Sequence, residues 1–154
     1  MSNIKKKVGV YPGSFNPFTI GHANILHQSQ KVFDEVIIAL GRNPSKDGND
    51  KEVFPYNNPV LGDAKVITFD GLLSDFLSGL DNGDCEVFLV RGLRNGEDLQ
   101  YEQNQLQFIK EMYLPLKTVF FICDKNLEHI SSSALRALKK VSESEYKKYT
   151  FEKR

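Results

Sequence analysis

Residues Tyr11 to His22 read YPGSFNPFTIGH, and the fold turns on how they are read. They follow a short apolar run, KVGVY (7–11), and lead into a segment where Ile25, Leu26 and Phe33 recur at helical spacing. A strand therefore passes through a Pro-Gly turn into a helix. The turn needs Pro12 and Gly13. It does not need Thr19, Gly21 and His22 at their spacing. Gly13 allows a tight reversal. Ser14 offers a hydroxyl and a backbone N–H. Gly21 leaves room for a ligand at the helix start, where unpaired N–H groups and the positive end of the helix dipole attract phosphate. His22 sits there and can donate a hydrogen bond to a phosphate oxygen. The same residues also fit a plain capping turn with an incidental histidine. The spacing matches neither the GxGxxG dinucleotide loop nor a Walker A loop.

Four further runs rich in Val, Ile and Phe continue the pattern: EVIIAL (35–40), AKVITF (64–69), EVFLV (86–90) and KTVFFIC (117–123). Amphipathic stretches separate them over 22–33, 72–80 and 97–114, the last with Leu99, Leu106, Ile109 and Tyr113 on its stripe. Near-continuous apolar strands alternating with helices indicate a parallel sheet covered on both faces. The chain reads as a single Rossmann-like α/β domain over residues 1–154, with a doubly wound, parallel, five-stranded sheet. Ligands of such sheets bind at the carboxyl ends of the strands, at a topological switch point. One connection is irregular: residues 42–62 hold three prolines and many Asn, Asp and Gly residues, and read as a long loop. Residues 141–154 read as a polar tail or a short helix with a frayed end.

Composition narrows the function classes. The 154 residues are 40% hydrophobic and 26% charged, with zero formal net charge. That balance lacks the basic face of a nucleic-acid binder, while leaving room for a local cluster of cations. Cys85 and Cys123 show no zinc spacing and no disulfide framework, and read as reduced thiols of a cytoplasmic protein. The start MSNIKKKVGV has no long apolar run after it, and no stretch reaches the length of a membrane span.

The other strand ends carry the remaining candidates. Lys46 lies a few residues past the second strand, either at the binding edge or as a solvated lysine. After the fourth strand, Arg91 and Arg94 flank Gly92 and Leu93. A guanidinium matches phosphate oxygens as a fork, so the pair makes a candidate phosphate clamp. Glu102 falls on the apolar stripe of its helix, where a carboxylate needs a partner, either structural or a ligand. After the fifth strand, Ser131, Ser132 and Ser133 open a helix. One serine would serve as an N-cap; three add hydroxyl donors suited to a polyphosphate. Arg136 follows one turn later. His27 reads as a surface residue and His129 as structural.

These motifs coincide in order. TIGH (19–22) fits the [HT]-x-G-H signature of the nucleotidyltransferase α/β superfamily, and ISSSALR (130–136) resembles its second signature. With NPSK (43–46), FDGLLSDF (69–76) and VRGLRNGEDLQYE (90–102), the chain resembles the bacterial type of phosphopantetheine adenylyltransferase over roughly residues 7–140. The resemblance implies adenylyl transfer from ATP to 4′-phosphopantetheine, giving dephospho-CoA and pyrophosphate by in-line attack without a covalent enzyme intermediate. It implies that His22 stabilises the transition state at the α-phosphate, and that Ser14 and the Phe15 backbone hold phosphate. Lys46 and Arg91 would bind the pantetheine phosphate, and Leu73 would line the pantetheine arm. Gly92, Leu93, Arg94 and Glu102 match ATP-contacting positions. Leu127, Glu128, His129, Ile130, Ser131, Ser132 and Ser133 would embrace the adenosine and the leaving phosphates. Mg²⁺ would ride mainly on the ATP phosphates, no protein metal site is implied, and a homo-oligomer is the family habit.

The chain departs from that pattern in places. Asn16 replaces the usual Asp, Leu127 stands where an aromatic is common, and EVFPYNNPVLG (52–62) replaces an Arg-bearing helix. Two alternatives stay open from sequence: an adenylyltransferase for another phosphate acceptor such as nicotinamide mononucleotide, and a catalytically weakened ATP-binding module.

Overall fold

The computed structural model describes residues 4–42 and 54–151. Five strands, β1 (Lys6–Gly13), β2 (Glu35–Arg42), β3 (Lys65–Asp70), β4 (Cys85–Leu93) and β5 (Thr118–Ile122), form one sheet in the order β3-β2-β1-β4-β5. All four pairings are parallel. The helices are α1 (Ile20–Gln30), α2 (Leu73–Leu80), α3 (Gly96–Met112), α4 (Ser132–Val141) and α5 (Glu143–Lys147). The order reverses between β1 and β4, which makes their carboxyl ends the switch point of the sheet.

The two-residue period of each strand divides the core. Tyr11, Val36, Ile38, Leu40 and Val90 face α1, packed with Ile25, Leu26 and Phe33. Val8, Val10, Ile37, Ala39 and Val87 face α2 and α3, packed with Leu77 and Tyr113. On β1 the α1 side leaves no room at Gly9: a Cβ there would lie 2.6 Å from the Phe33 ring. On β4 the same alternation turns Gly92 toward α1 and Arg91 toward α3.

Three segments show packing that their sequence reading did not carry. Within the long connection, Phe54 and Leu61 are buried, and Pro59–Leu61 forms a short 3-10 turn, because Phe54 adds its ring to those of Phe15 and Phe18. Helix α3 fully buries none of its residues, and the expected stripe packs in part: Ile109 is half-buried against the core that holds Tyr113, just beyond the helix end, Leu106 is half-buried, and Leu99 is exposed. Residues 141–151 are docked rather than frayed. Tyr146 of α5 packs with Ile130 and Leu135, the Ile20 N–H donates to the Tyr149 carbonyl at 3.0 Å, and Thr19 and Thr150 form an antiparallel bridge. Among the described residues no helix is long and apolar enough to cross a membrane.

Candidate active site

A cavity of ≈ 400 Å³ opens at the switch point, between the carboxyl ends of β1 and β4. From β1 and its turn it takes Tyr11, Ser14, Phe15, Thr19 and His22; from β4, Arg91, Gly92, Leu93 and Arg94. Helix α3 adds Asp98, Tyr101 and Glu102, and the segment after β5 adds Cys123, Leu127, Ile130, Ser131 and Ser132. Most sequence-derived candidates thus meet in one place. Ser133, Glu128 and His129 are exposed and lie outside the lining, with the His129 ring edge-on to Tyr149. Leu73 packs into the core beneath α2 rather than into the cavity. Lys46 lies outside the described residues.

His22 is held by its own helix start. Thr19 caps α1: its Oγ1 accepts from the His22 N–H at 3.1 Å, and the Thr19 N–H donates to His22 Nδ1 at 3.0 Å. The rings of Phe15 and Phe18 flank the imidazole, with centroids 4.9 and 5.6 Å away. Phe15 itself stands at φ 46°, a left-handed conformation that a bulky residue adopts only when its surroundings force it. Burial, and secondly the charge of Arg94, push the imidazole down to about 4.

Arg91, near the end of β4, and Arg94, just after it, are both gripped from α3. Glu102 takes Arg91 Nε and Nη2 at 2.6 and 2.7 Å, and Asp98 takes Arg94 Nε and Nη2 at 3.1 and 3.3 Å. Each fork occupies one edge of a guanidinium and leaves Nη1 for another partner. The partner that Glu102 required is therefore Arg91. Burial alone would raise the Asp98 carboxyl, but hydrogen bonds from the Arg94 side chain and backbone, with its charge, hold it below the usual range.

The serines divide their work. Ser131 Oγ caps α4 by accepting from the Ala134 N–H at 3.1 Å. Ser132 Oγ donates to the Pro17 carbonyl at 3.0 Å, and Arg136 Nη1 donates to the Asn16 carbonyl at 2.6 Å. Two of the motif's polar side chains thus tie α4 to the β1 turn, and the remaining phosphate-binding capacity is the N-terminus of α4 itself. The sequence reading missed Tyr11, Asp98, Tyr101 and Cys123 as lining residues. Asp98 was findable, because it stands four residues after Arg94 at the opening of a helix. Cys123 follows the carboxyl end of β5, where the switch-point rule already directs attention. Burial pushes the Tyr11 phenol up, against the opposing charge of Arg91, so the hydroxyl stays protonated.

Two helix N-termini, a histidine and two oriented guanidiniums around one cleft define a nucleotide-handling site of the Rossmann-like nucleotidyltransferase class. The profile of the cytidylyltransferase-like family matches residues 10–138. The chain belongs to that family, and within it to the phosphopantetheine adenylyltransferases. It is 38% identical over 141 residues to the phosphopantetheine adenylyltransferase of Cytophaga hutchinsonii, covering 87% of this chain and 90% of that one. To the enzyme of that name from Syntrophomonas wolfei it is 37% identical over 139 residues, covering 84% and 81%. Among solved structures, Plasmodium falciparum nicotinic acid mononucleotide adenylyltransferase superimposes with a TM-score of 0.62 at 17% identity, covering 94% of this chain and 90% of that one. That likeness establishes the fold alone.

Proposed function

We propose that the protein transfers the adenylyl group of ATP to the phosphate of 4′-phosphopantetheine, giving dephospho-CoA and pyrophosphate. The observation that carries the reading is the convergence of His22, Arg91, Arg94 and the α1 and α4 N-termini on one cavity, in a chain of this family. An oxygen of the acceptor phosphate attacks the α-phosphorus while the bond to the β-phosphate oxygen breaks, and pyrophosphate leaves. No protein nucleophile is required, so the side chains contribute position and charge. His22 donates to an α-phosphate oxygen as negative charge builds there. Arg91 orients the acceptor phosphate, and Lys46 joins it. Arg94, Gly92, Leu93 and the Leu127–Ser132 segment hold the nucleotide.

Glu102 and Asp98 are both engaged by arginines, and among the described residues no three His, Cys, Asp or Glu side chains lie together as a metal cage. The reading takes a magnesium ion carried by the ATP phosphates, where it would shield polyphosphate charge. The reading also carries a cytoplasmic location, in keeping with two free thiols. It carries a homo-oligomer too, which would cover the exposed Phe108 and Met112 of α3.

The test is pyrophosphate release from ATP and Mg²⁺ with 4′-phosphopantetheine and, in parallel, with nicotinamide mononucleotide. His22→Ala is expected to fold, to bind ATP nearly as well, and to lose about 10²–10³-fold in turnover. Release with the mononucleotide alone would move the acceptor and keep the mechanism. ATP binding without release from either acceptor would leave a binding module.

A further inference from the structure

We propose that His22 works as a neutral imidazole with its proton on Nε2, and that Thr19 is the positioning residue that sets this form. The proposal rests on the adenylyl-transfer reading for its catalytic meaning, but the protonation state is fixed by geometry alone. The Thr19 backbone N–H lies 3.0 Å from Nδ1 and can only donate, so Nδ1 presents a lone pair. The Thr19 hydroxyl is 3.2 Å from the same nitrogen. Its oxygen already accepts the His22 N–H, which leaves its own hydrogen free to turn toward Nδ1. A proton on Nδ1 would face two donors. The proton of the neutral ring therefore sits on Nε2, on the ring edge away from the cap and toward the cavity that His22 lines.

The cap itself cannot easily swing away. Thr19 is 1% exposed. It is bridged to Thr150, and the neighbouring Ile20 N–H is bonded to Tyr149. The charged surroundings agree. From β4 and its turn come Arg91 and Arg94, each answered by a carboxylate of α3, Glu102 and Asp98 respectively. From β1 comes the protonated phenol of Tyr11, from the segment after β5 the Cys123 thiol, which burial pushes up, and from α4 only uncharged serines. Among the described residues no carboxylate is left to pair with an imidazolium. Burial, and secondly the charge of Arg94, instead push the ring down to about 4. His22 thus supplies a directed hydrogen bond, and the arginines supply the positive charge. A second proton on the ring would break the cap that holds it.

Two experiments test this. With ¹⁵N-labelled histidine, the two-bond ¹H–¹⁵N correlation pattern of the free protein separates the two neutral tautomers from the imidazolium, and His22→Ala identifies the signal. The Nε2–H form near neutral pH is expected; the Nδ1–H form or an imidazolium overturns the proposal whatever the enzyme's activity. In turnover, Thr19→Val removes the hydroxyl from both His22 and the cap, and is expected to lower kcat about 5–10-fold with the KM for ATP little changed. Thr19→Ser restores most of that loss. His22→Gln, whose amide N–H can reach the place of Nε2, retains more turnover than His22→Asn. Wild-type turnover in Thr19→Val, or Asn outperforming Gln, refutes the positioning role. If the wild-type protein releases no pyrophosphate from either acceptor, the adenylyl-transfer reading fails, while the spectroscopic result still decides the tautomer.

Discussion

Replacing Gly92 with alanine places a methyl group 2.7 Å from Cγ1 of Ile25, with Cδ1 at 3.2 Å and Cγ2 at 3.5 Å. Carbon atoms in van der Waals contact lie about 3.5–4.0 Å apart, so something must move by most of an ångström. Gly92 is held in register opposite Phe121, inside the sheet. Ile25 is 3% exposed, packed against the core on one side and bordering the cavity beside Gly92 on the other. The strain falls on the Ile25 side chain and on α1, which carries it, and Ile25 lies one turn beyond His22. Overpacking of this kind costs about 1–3 kcal/mol, which for a chain of this size lowers Tm by about 3–10 °C. The same displacement shifts His22 against Arg91 and Arg94, and a misplacement near 1 Å is worth on the order of 10²-fold in rate. Urea denaturation of Gly92→Ala, Ile25→Ala and the double variant measures the clash directly. Ile25→Ala alone costs about 2–5 kcal/mol for its cavity, and the added methyl should enter that cavity. The double variant is then expected to be more stable than the sum of the single losses by about 1 kcal/mol or more. Additive losses, or Gly92→Ala within about 0.5 kcal/mol of wild type, would refute the argument that this glycine exists to bring α1 onto β4.

Arg91→Ala is expected to raise the KM of the phosphate acceptor about tenfold or more while changing that of ATP much less, because charge-assisted bonds to phosphate are worth roughly 1.5–3 kcal/mol. Steady-state kinetics with each substrate varied would check it, and the opposite pattern would exchange the roles of Arg91 and Arg94. Acid stability should carry the signature of His22. Its imidazole protonates near 6.5 in the unfolded chain and only near 4 in the fold, so between those values the unfolded state binds more protons and stability falls as the pH falls. The loss is about 1–3 kcal/mol, reduced from the full linkage value because the ring faces an open cavity. Urea midpoints measured down through this range should drop less steeply in His22→Gln than in wild type.

How much of this was legible in the sequence depends on the range of the interaction. Each strand is an apolar run recognisable by itself, and the turn from β1 into α1 is written in a few residues, so local pattern was enough to place both. The turn after β1, the Arg91–Arg94 pair and the opening of α4 likewise stood at strand ends that the alternation had already marked. Glu102 was recognisable as a carboxylate in need of a partner, but not as the partner of Arg91. That pairing required knowing that β4 alternation turns Arg91 to the α3 side, where Glu102 meets it.

The C-terminal segment shows the same division. Its composition is polar, and nothing nearby in the sequence asks for Tyr146 to be buried or for Thr150 to meet Thr19. Local hydrophobic pattern and cap chemistry act over a few residues, so the sequence by itself determined the strands, the class of sheet and the motifs at the strand ends. Which charges face one another, which glycine admits a helix, and what braces the histidine from behind are contacts between distant segments. They come into being only when the sheet has ordered β1 beside β4 and brought the chain's end back to α1.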